Sequence, residues 1–306
     1  MRLPKLRYGM AKRITVKVPV RIDLAGGWTD VPRYCNTHQG EVVNVAINHY
    51  VTAEHSTDDE RKVNVSYQTE LPTGCGLGTS GAMNVALVSA ICDENEPPES
   101  VAEKAYQIEA ILGNTGGRQD QWASAFGGFQ HLAFDGESVR RTSLVPSLAF
   151  RTWLEKHLLL FDTGLPHVSG ELHQAVWARY DQGDEKTTEG LLELHGAAQK
   201  MHVSVQNENQ EGFAAALRQV MKGVDLLDLD LHGPFRTILG PLEHRGHVVA
   251  WKAMGAGGGG VVGILQSGKD EALQSIDAAL TSAGWTPVPW AIEDNGIQRR
   301  ESLNHE

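Results

Sequence analysis

The chain has 306 residues, 41% hydrophobic and 21% charged, which describes a soluble globular protein able to bury one large core or two medium ones. Its formal charge of −11 argues against a general nucleic-acid binder, which shows a basic face, but not against a small anion held by backbone N–H groups. No apolar run reaches the ~18 residues of a membrane span, the start lacks a signal-peptide core, and Cys35, Cys75 and Cys92 show no paired spacing; the expectation is a cytoplasmic protein without membrane partner, disulfide framework or zinc site.

Ile14, Val16, Val18, Val20, Ile22 and Leu24 alternate, which predicts a strand ended by Gly26 and Gly27. Arg21, Asp23 and Asp30 cluster around that end, more charge than a merely buried strand would carry. "EVVNVAINHYVTAEHS" predicts one or two further strands and "KVNVSYQTELP" another. Strands in succession before any strong helix favour an α+β layout over a doubly wound one. "SGAMNVALVSAICDEN" and "PPESVAEKAYQIEAILGN" predict the first two helices, the second opened by Pro97 and Pro98 and closed by Gly113. "DQWASAFGGFQHLAF" reads as a short helix, a Gly-Gly break and a strand, and "HLLLFDTG" as a buried strand and turn. From there to about residue 240 the pattern is helical. "KAMGAGGGGVVGIL" is a Gly-rich turn running into a strand, "KDEALQSIDAALTSAG" a last helix, and the polar "DNGIQRRESLNHE" is expected to fray. The change from strand-rich to helix-rich predicts two domains, 11–150 and 151–300.

Two glycine-rich segments carry chemistry. In "LPTGCGLGTSGAMNVAL", Gly74, Gly76 and Gly78 precede Thr79 and Ser80 at the start of an apolar helix. Glycines let a backbone approach an anion, the helix N-terminus offers unpaired N–H groups, and a hydroxyl there can reach phosphate or Mg²⁺. The segment lacks the Lys of a Walker A loop and the later acidic residue of a dinucleotide fingerprint. The plainer alternative is a turn with a Thr/Ser cap. The run at residues 254–265 is costly in backbone entropy, and is tolerated where a ligand or another backbone comes close; a flexible hairpin is the alternative.

Taken in order, "PVRIDLAGGWTD", "PTGCGLGTSGA" and "GAGGGG" resemble the three motifs of the GHMP kinases, the superfamily of galactokinase, homoserine kinase and mevalonate kinase. The first is most similar to L-fucokinases. "GGRQDQWASAFGGF" resembles both fucokinases and kinases of D-glycero-D-manno-heptose 7-phosphate, which act on an anomeric hydroxyl. Thr79 and Gly81 depart from the Ser and the Ala or Ser common in the family, and the segment between the first two motifs is short.

The resemblance implies a two-domain α+β fold. It implies transfer of the ATP γ-phosphate, with Mg²⁺, to a sugar or sugar phosphate resembling heptose 7-phosphate or L-fucose. Its partners would be ATP and that small molecule; a homodimer is allowed. Asp120 becomes the base or charge partner of the acceptor hydroxyl, although by itself it reads as a helix N-cap. Arg21, preferred over Arg118, faces the transferred phosphoryl. Gly74, Gly76, Leu77, Gly78, Thr79 and Ser80 hold the phosphates, and Ser80 and Glu109 the metal. Asp30, Gly27, Trp28, Arg33, Gly257 and Gly258 fall on the substrate side, Arg33 as the candidate for an acceptor phosphate. Asp23 is read as bracing the Gly26-Gly27 turn. Thr163 and Gly164 match a Thr-Gly turn of related kinases, but Leu165, Pro166 and His167 follow where Arg or Lys is common. The alternatives are a GHMP kinase for a non-sugar alcohol such as homoserine or mevalonate, which "GGWTD" counts against, and a non-catalytic member, which Asp120, Ser80 and Glu109 count against.

Overall fold

In the computed structural model, which describes residues 12–57, 63–113, 116–165, 169–255 and 257–303, the alternating segment forms β1 (Lys12–Ala25). β1 pairs antiparallel with β2 (Gly40–Thr57), one long strand of the one or two expected. A short helix, α1 (Pro32–Cys35), fills the connection. β2 also pairs with β3 (Val63–Thr69) and β4 (Phe129–Asp135), and β4 pairs with β5 (Ser138–Leu144). α2 (Thr79–Ile91), α3 (Pro98–Ile111) and α4 (Gln119–Phe126) pack together, and α2 and α4 lie on β1 and β2.

The second half is built on a smaller antiparallel sheet of order β7-β8-β6-β9: β6 (Leu158–Asp162), β7 (Val248–Ala253), β8 (Val261–Gln266) and β9 (Thr286–Pro287). Around it run α5 (Leu148–His157), α6 (Ser169–Asp181), α7 (Glu185–Gln206), α8 (Gln210–Leu227), a 3-10 turn (Leu229–Leu231), α9 (Gly233–His244) and α10 (Ala272–Ser282). α7 and α8 pack closely where Gly190 faces the Gly223 carbonyl. α7 rests on β1 and β2 while α8 rests on β7, so this pair joins the two sheets through one apolar core.

The expectation that the end of the chain frays is overturned. Gln298–Leu303 forms β10, which pairs along residues 12–17 of β1 and closes that edge of the first sheet. The strand-rich layer is therefore discontinuous in sequence. Its polar residues gain backbone pairing, and Arg299 ties the strand to a helix. Arg299 Nη1 donates to the Ser89 and Cys92 carbonyls, 2.7 and 2.8 Å away, at the C-terminal end of α2. A cation there also suits the helix dipole. Arg299→Ala should lower the urea unfolding free energy by about 2 kcal/mol, seen as a lower midpoint at unchanged slope. An unchanged midpoint would show that the contact contributes nothing.

Candidate active site

After β1 the chain turns through residues 26–30. Gly26, at φ +96°, leaves no room for a Cβ against the Glu41 carbonyl oxygen. Thr29, fully buried, locks the turn: its Oγ1 lies 2.7 Å from the Gly26 carbonyl oxygen and 2.9 Å from that of Glu41, and accepts the Glu41 N–H at 3.0 Å. Trp28 is held in the left-handed region at φ +83°, a conformation that only firm surroundings sustain. Its ring lies 4.5 Å from that of His173 and 5.9 Å from that of Trp177, both on α6. A Cβ on Gly27 would collide with the Asp23 carboxylate, so the turn lies directly against Asp23.

The two glycine-rich loops meet backbone to backbone. The Val261 N–H donates to the Cys75 carbonyl at 2.8 Å. A Cβ on Gly260 would lie 2.6 Å from that same oxygen, and one on Gly76 would collide with the Met254 carbonyl. Thr163 ties the second loop down, Oγ1 donating to the Gly260 carbonyl at 2.8 Å. Beyond Gly78, at φ +78°, α2 begins with no side-chain cap, and its first intrahelical bond comes from the Ala82 N–H. The N–H groups of Thr79, Ser80 and Gly81 therefore lack intrahelical partners at the positive end of the helix dipole.

A cleft of about 280 Å³ lies in front of this helix end, and Arg21, Asp30, Ser80, Glu109 and Asp120 all line it. Arg21 grips Asp120 Oδ1 through Nε at 2.8 Å and Nη2 at 2.6 Å, and donates through Nη1 to the Gly76 carbonyl at 2.6 Å. Burial works against the Arg21 charge, but Asp120, and Asp23 after it, outweigh burial and hold it above the ordinary arginine range. A Cβ on Gly81 would stand 2.6 Å from Asp120 Cβ, which accounts for glycine there. Asp120 is not the cap of α4. Asp30 caps it instead, its Oδ2 accepting the Gln119 N–H at 3.1 Å. Burial pushes Asp30 up to about 7; the Gln119 N–H opposes this, and the charges of Asp120 and Asp23 add to it.

Ser80 Oγ donates to Glu109 Oε1 at 3.4 Å, and Asn84 Nδ2 donates to the same oxygen at 2.6 Å. Two oxygens so close beside a phosphate-type helix end suit a small hard cation that shares its shell with substrate phosphates, so the donor set fits Mg²⁺.

Several expected residues lie elsewhere. Arg33 is on the surface, Nη1 paired 2.8 Å from Asp181 Oδ2 with both side chains about half exposed, and it does not line the cleft. Leu77 is buried in the core, and its carbonyl accepts the Arg21 N–H at 3.0 Å. The Gly258 N–H is spent on the Leu231 carbonyl at 2.9 Å, and Gly257 packs on Leu231; Gly255 is the member of that run that reaches the cleft. Arg118 turns away toward the Glu137 carbonyl at 2.8 Å, leaving Arg21 beside Asp120. Pro166 and His167 lie outside the described residues.

Lys252 is the residue that sequence reasoning passed over. It sits on β7, buried, with Nζ 2.6 Å from Asp23 Oδ2 and 2.7 Å from the Asp23 carbonyl oxygen. Burial pushes its pKa down while Asp23 pulls it back up. The available signal was a lone lysine in the apolar "VVAWKAM", just before the glycine run.

Residues 41–128 match the model for the GHMP kinases N terminal domain. The chain is 25% identical over 244 residues to a Campylobacter jejuni D-glycero-alpha-D-manno-heptose 7-phosphate kinase, covering 62% of this chain and 70% of that one. It is 23% identical to the Arabidopsis thaliana bifunctional fucokinase/GDP-fucose pyrophosphorylase over 87% of its own length, but spans only 31% of that larger protein. It is 26% identical to a Pyrococcus abyssi mevalonate kinase, covering 88% of this chain and 78% of that one. In fold it matches the crystal structure of a D-glycero-D-manno-heptose 1-phosphate kinase from Bacteriodes thetaiotaomicron, with a TM-score of 0.72 at 18% identity over 95% of this chain and all of that one.

The Lys252–Asp23 pair has a direct test. Removing one partner of a buried pair strands the other charge, so Lys252→Met should cost about 3–5 kcal/mol. Asp23→Asn combined with Lys252→Met should recover part of that loss. Urea unfolding of the two variants measures it, and equal losses would mean that the charges are not coupled.

Proposed function

Starting from a chain that carries a GHMP kinase N-terminal domain, we propose that it is an ATP-dependent sugar kinase, transferring the γ-phosphate to an anomeric hydroxyl to give a sugar 1-phosphate. The observation that carries this reading is the Arg21–Asp120 pair packed against the open N-terminus of α2 and lining one cleft together with Asp30 and Trp28.

Phosphoryl transfer depends mostly on positioning and electrostatics. The N–H groups at residues 79–81 cradle the phosphates, and Ser80 and Glu109 would hold Mg²⁺, which would neutralise phosphate charge when bound. Arg21 places positive charge at the transferred phosphoryl and fixes Asp120 through Oδ1. Asp120 Oδ2 orients the acceptor hydroxyl and takes its proton as the new O–P bond forms and the bond to ADP breaks. Asp30 hydrogen-bonds sugar hydroxyls, and Trp28 offers an apolar ring to the sugar face.

Transfer to a non-sugar alcohol is the second reading, favoured by the similarity to the Pyrococcus abyssi mevalonate kinase. The turn that presents Trp28 and Asp30 to the cleft weighs toward a polyhydroxylated acceptor.

Asp120→Asn keeps the shape and removes the charge. Turnover should fall by roughly 10²–10⁴-fold, followed as ADP release with a panel of sugars, while calorimetry shows ATP binding nearly unchanged. Lost ATP binding with normal saturated turnover would assign Asp120 to the nucleotide instead.

A further inference from the structure

Asp23, Asp30, Glu109 and Asp120 bring carboxyl groups to the cleft, and Gln119, the first residue of α4, brings an amide. Gln119 is 6% exposed, and its Oε1 has no hydrogen-bond partner among the described residues. Burying an amide oxygen without a partner costs free energy, so its place on a cleft wall points to a ligand group that pairs with it. Resting on the sugar-kinase reading, we propose that Gln119 is a specificity-determining residue, whose side-chain amide binds a second hydroxyl of the acceptor, distinct from the one that takes the phosphoryl group.

The surroundings hold Gln119 ready for this. Its backbone N–H donates to Asp30 Oδ2 at 3.1 Å. On one side Asp120 is gripped by Arg21, and on the other Arg118 donates to the Glu137 carbonyl at 2.8 Å. The start of α4 is thus fixed before any ligand arrives. Successive side chains on a helix diverge by about 100°, so Gln119 and Asp120 address different atoms of one ligand instead of competing for the same one. Gly27 leaves room for the amide, because a Cβ there would stand 3.2 Å from Gln119 Nε2.

Two other buried glutamines nearby set the contrast. Gln130 Nε2 donates toward the Trp122, Ala123 and Gly127 carbonyls at 3.2–3.4 Å, tying β4 to α4. Gln121 is buried one position beyond Asp120. Their Oε1 atoms also lack partners among the described residues, but neither side chain lines the cleft, and Gln119 does. The residue type fits as well. One more carboxylate beside Asp23, Asp30 and Asp120 would add like charge to a buried wall, whereas an amide offers an acceptor and a donor without charge.

The test uses the full chain with Mg-ATP. ADP release with L-fucose, D-galactose, D-mannose and D-glycero-D-manno-heptose 7-phosphate selects the best acceptor. Its monodeoxy analogues, each lacking one non-reacting hydroxyl, are then compared in the native chain and in Gln119→Met, which keeps the length and removes the amide. The native chain should lose about 10–100-fold in kcat/KM with one analogue. Gln119→Met should lose a similar factor with the parent sugar, mainly through its KM, and should no longer separate the parent from that analogue. ATP binding by calorimetry should be unchanged; if Gln119→Met loses it, Gln119→Ala carries the same comparison. A native chain indifferent to every deoxy analogue, or a variant that separates them as the native chain does, would overturn the inference and leave the kinase reading standing. Turnover confined to mevalonate or homoserine, or none with any acceptor, would overturn the sugar-kinase reading and this inference with it.

Discussion

The contact between two glycine-rich loops, Cys75 and Gly76 on one and Met254 and Gly260 on the other, is the constraint on which the site depends. At this spacing neither loop tolerates a side chain at the touching glycines. The contact ties the loop preceding α2, which lies on the first sheet, to the turn between β7 and β8 of the second. The N-terminus of α2 is thereby held where the two sheets come together. Arg21 completes the arrangement from β1, bonding to the Gly76 carbonyl while it holds Asp120. The residues assigned to phosphate and acceptor thus share one rigid frame, as in-line transfer requires.

Two ion pairs lie side by side in this frame: Lys252–Asp23, buried at both ends, and Arg21–Asp120, whose arginine is buried and whose carboxylate is 27% exposed. Buried pairs contribute little net stability because desolvation offsets attraction, so their value lies in geometry. Arg21–Asp120 lines the cleft, with the guanidinium bonded to Oδ1 of the carboxylate. Lys252–Asp23 joins β7 to β1 across the same joint between the sheets and lies directly against Gly27 and Trp28. The crowding of carboxyl groups also has a local effect: together with burial it raises Asp30 far above its ordinary range.

Much of this was legible in the sequence wherever the physics is local. Alternation gave away β1, and glycines followed by hydroxyls marked the helix start that lines the cleft. Resemblance, not periodicity, singled out Asp120. The parts that were missed depend on contacts distant in sequence. β10 is polar and carries no apolar period; it holds through β1 pairing and the Arg299 contact with α2. Lys252 gains its meaning from a partner 229 positions away. Arg33 looked available because Asp181, its partner, is remote in sequence. The N–H of Gly258 is spent on the chain's own 3-10 turn, against which Gly257 packs, and no local pattern distinguishes this from ligand contact.

If the chain is a kinase of this design, one cleft holds both the phosphate of the donor and the hydroxyl of the acceptor. A crystal structure with a non-hydrolysable ATP analogue and Mg²⁺ tests this most directly. Phosphate oxygens should then lie within hydrogen-bond distance of the N–H groups of residues 79–81, with the terminal phosphate beside Arg21 and Asp120. A triphosphate bound on any other surface, or one whose terminal phosphate points away from Asp120, would contradict it.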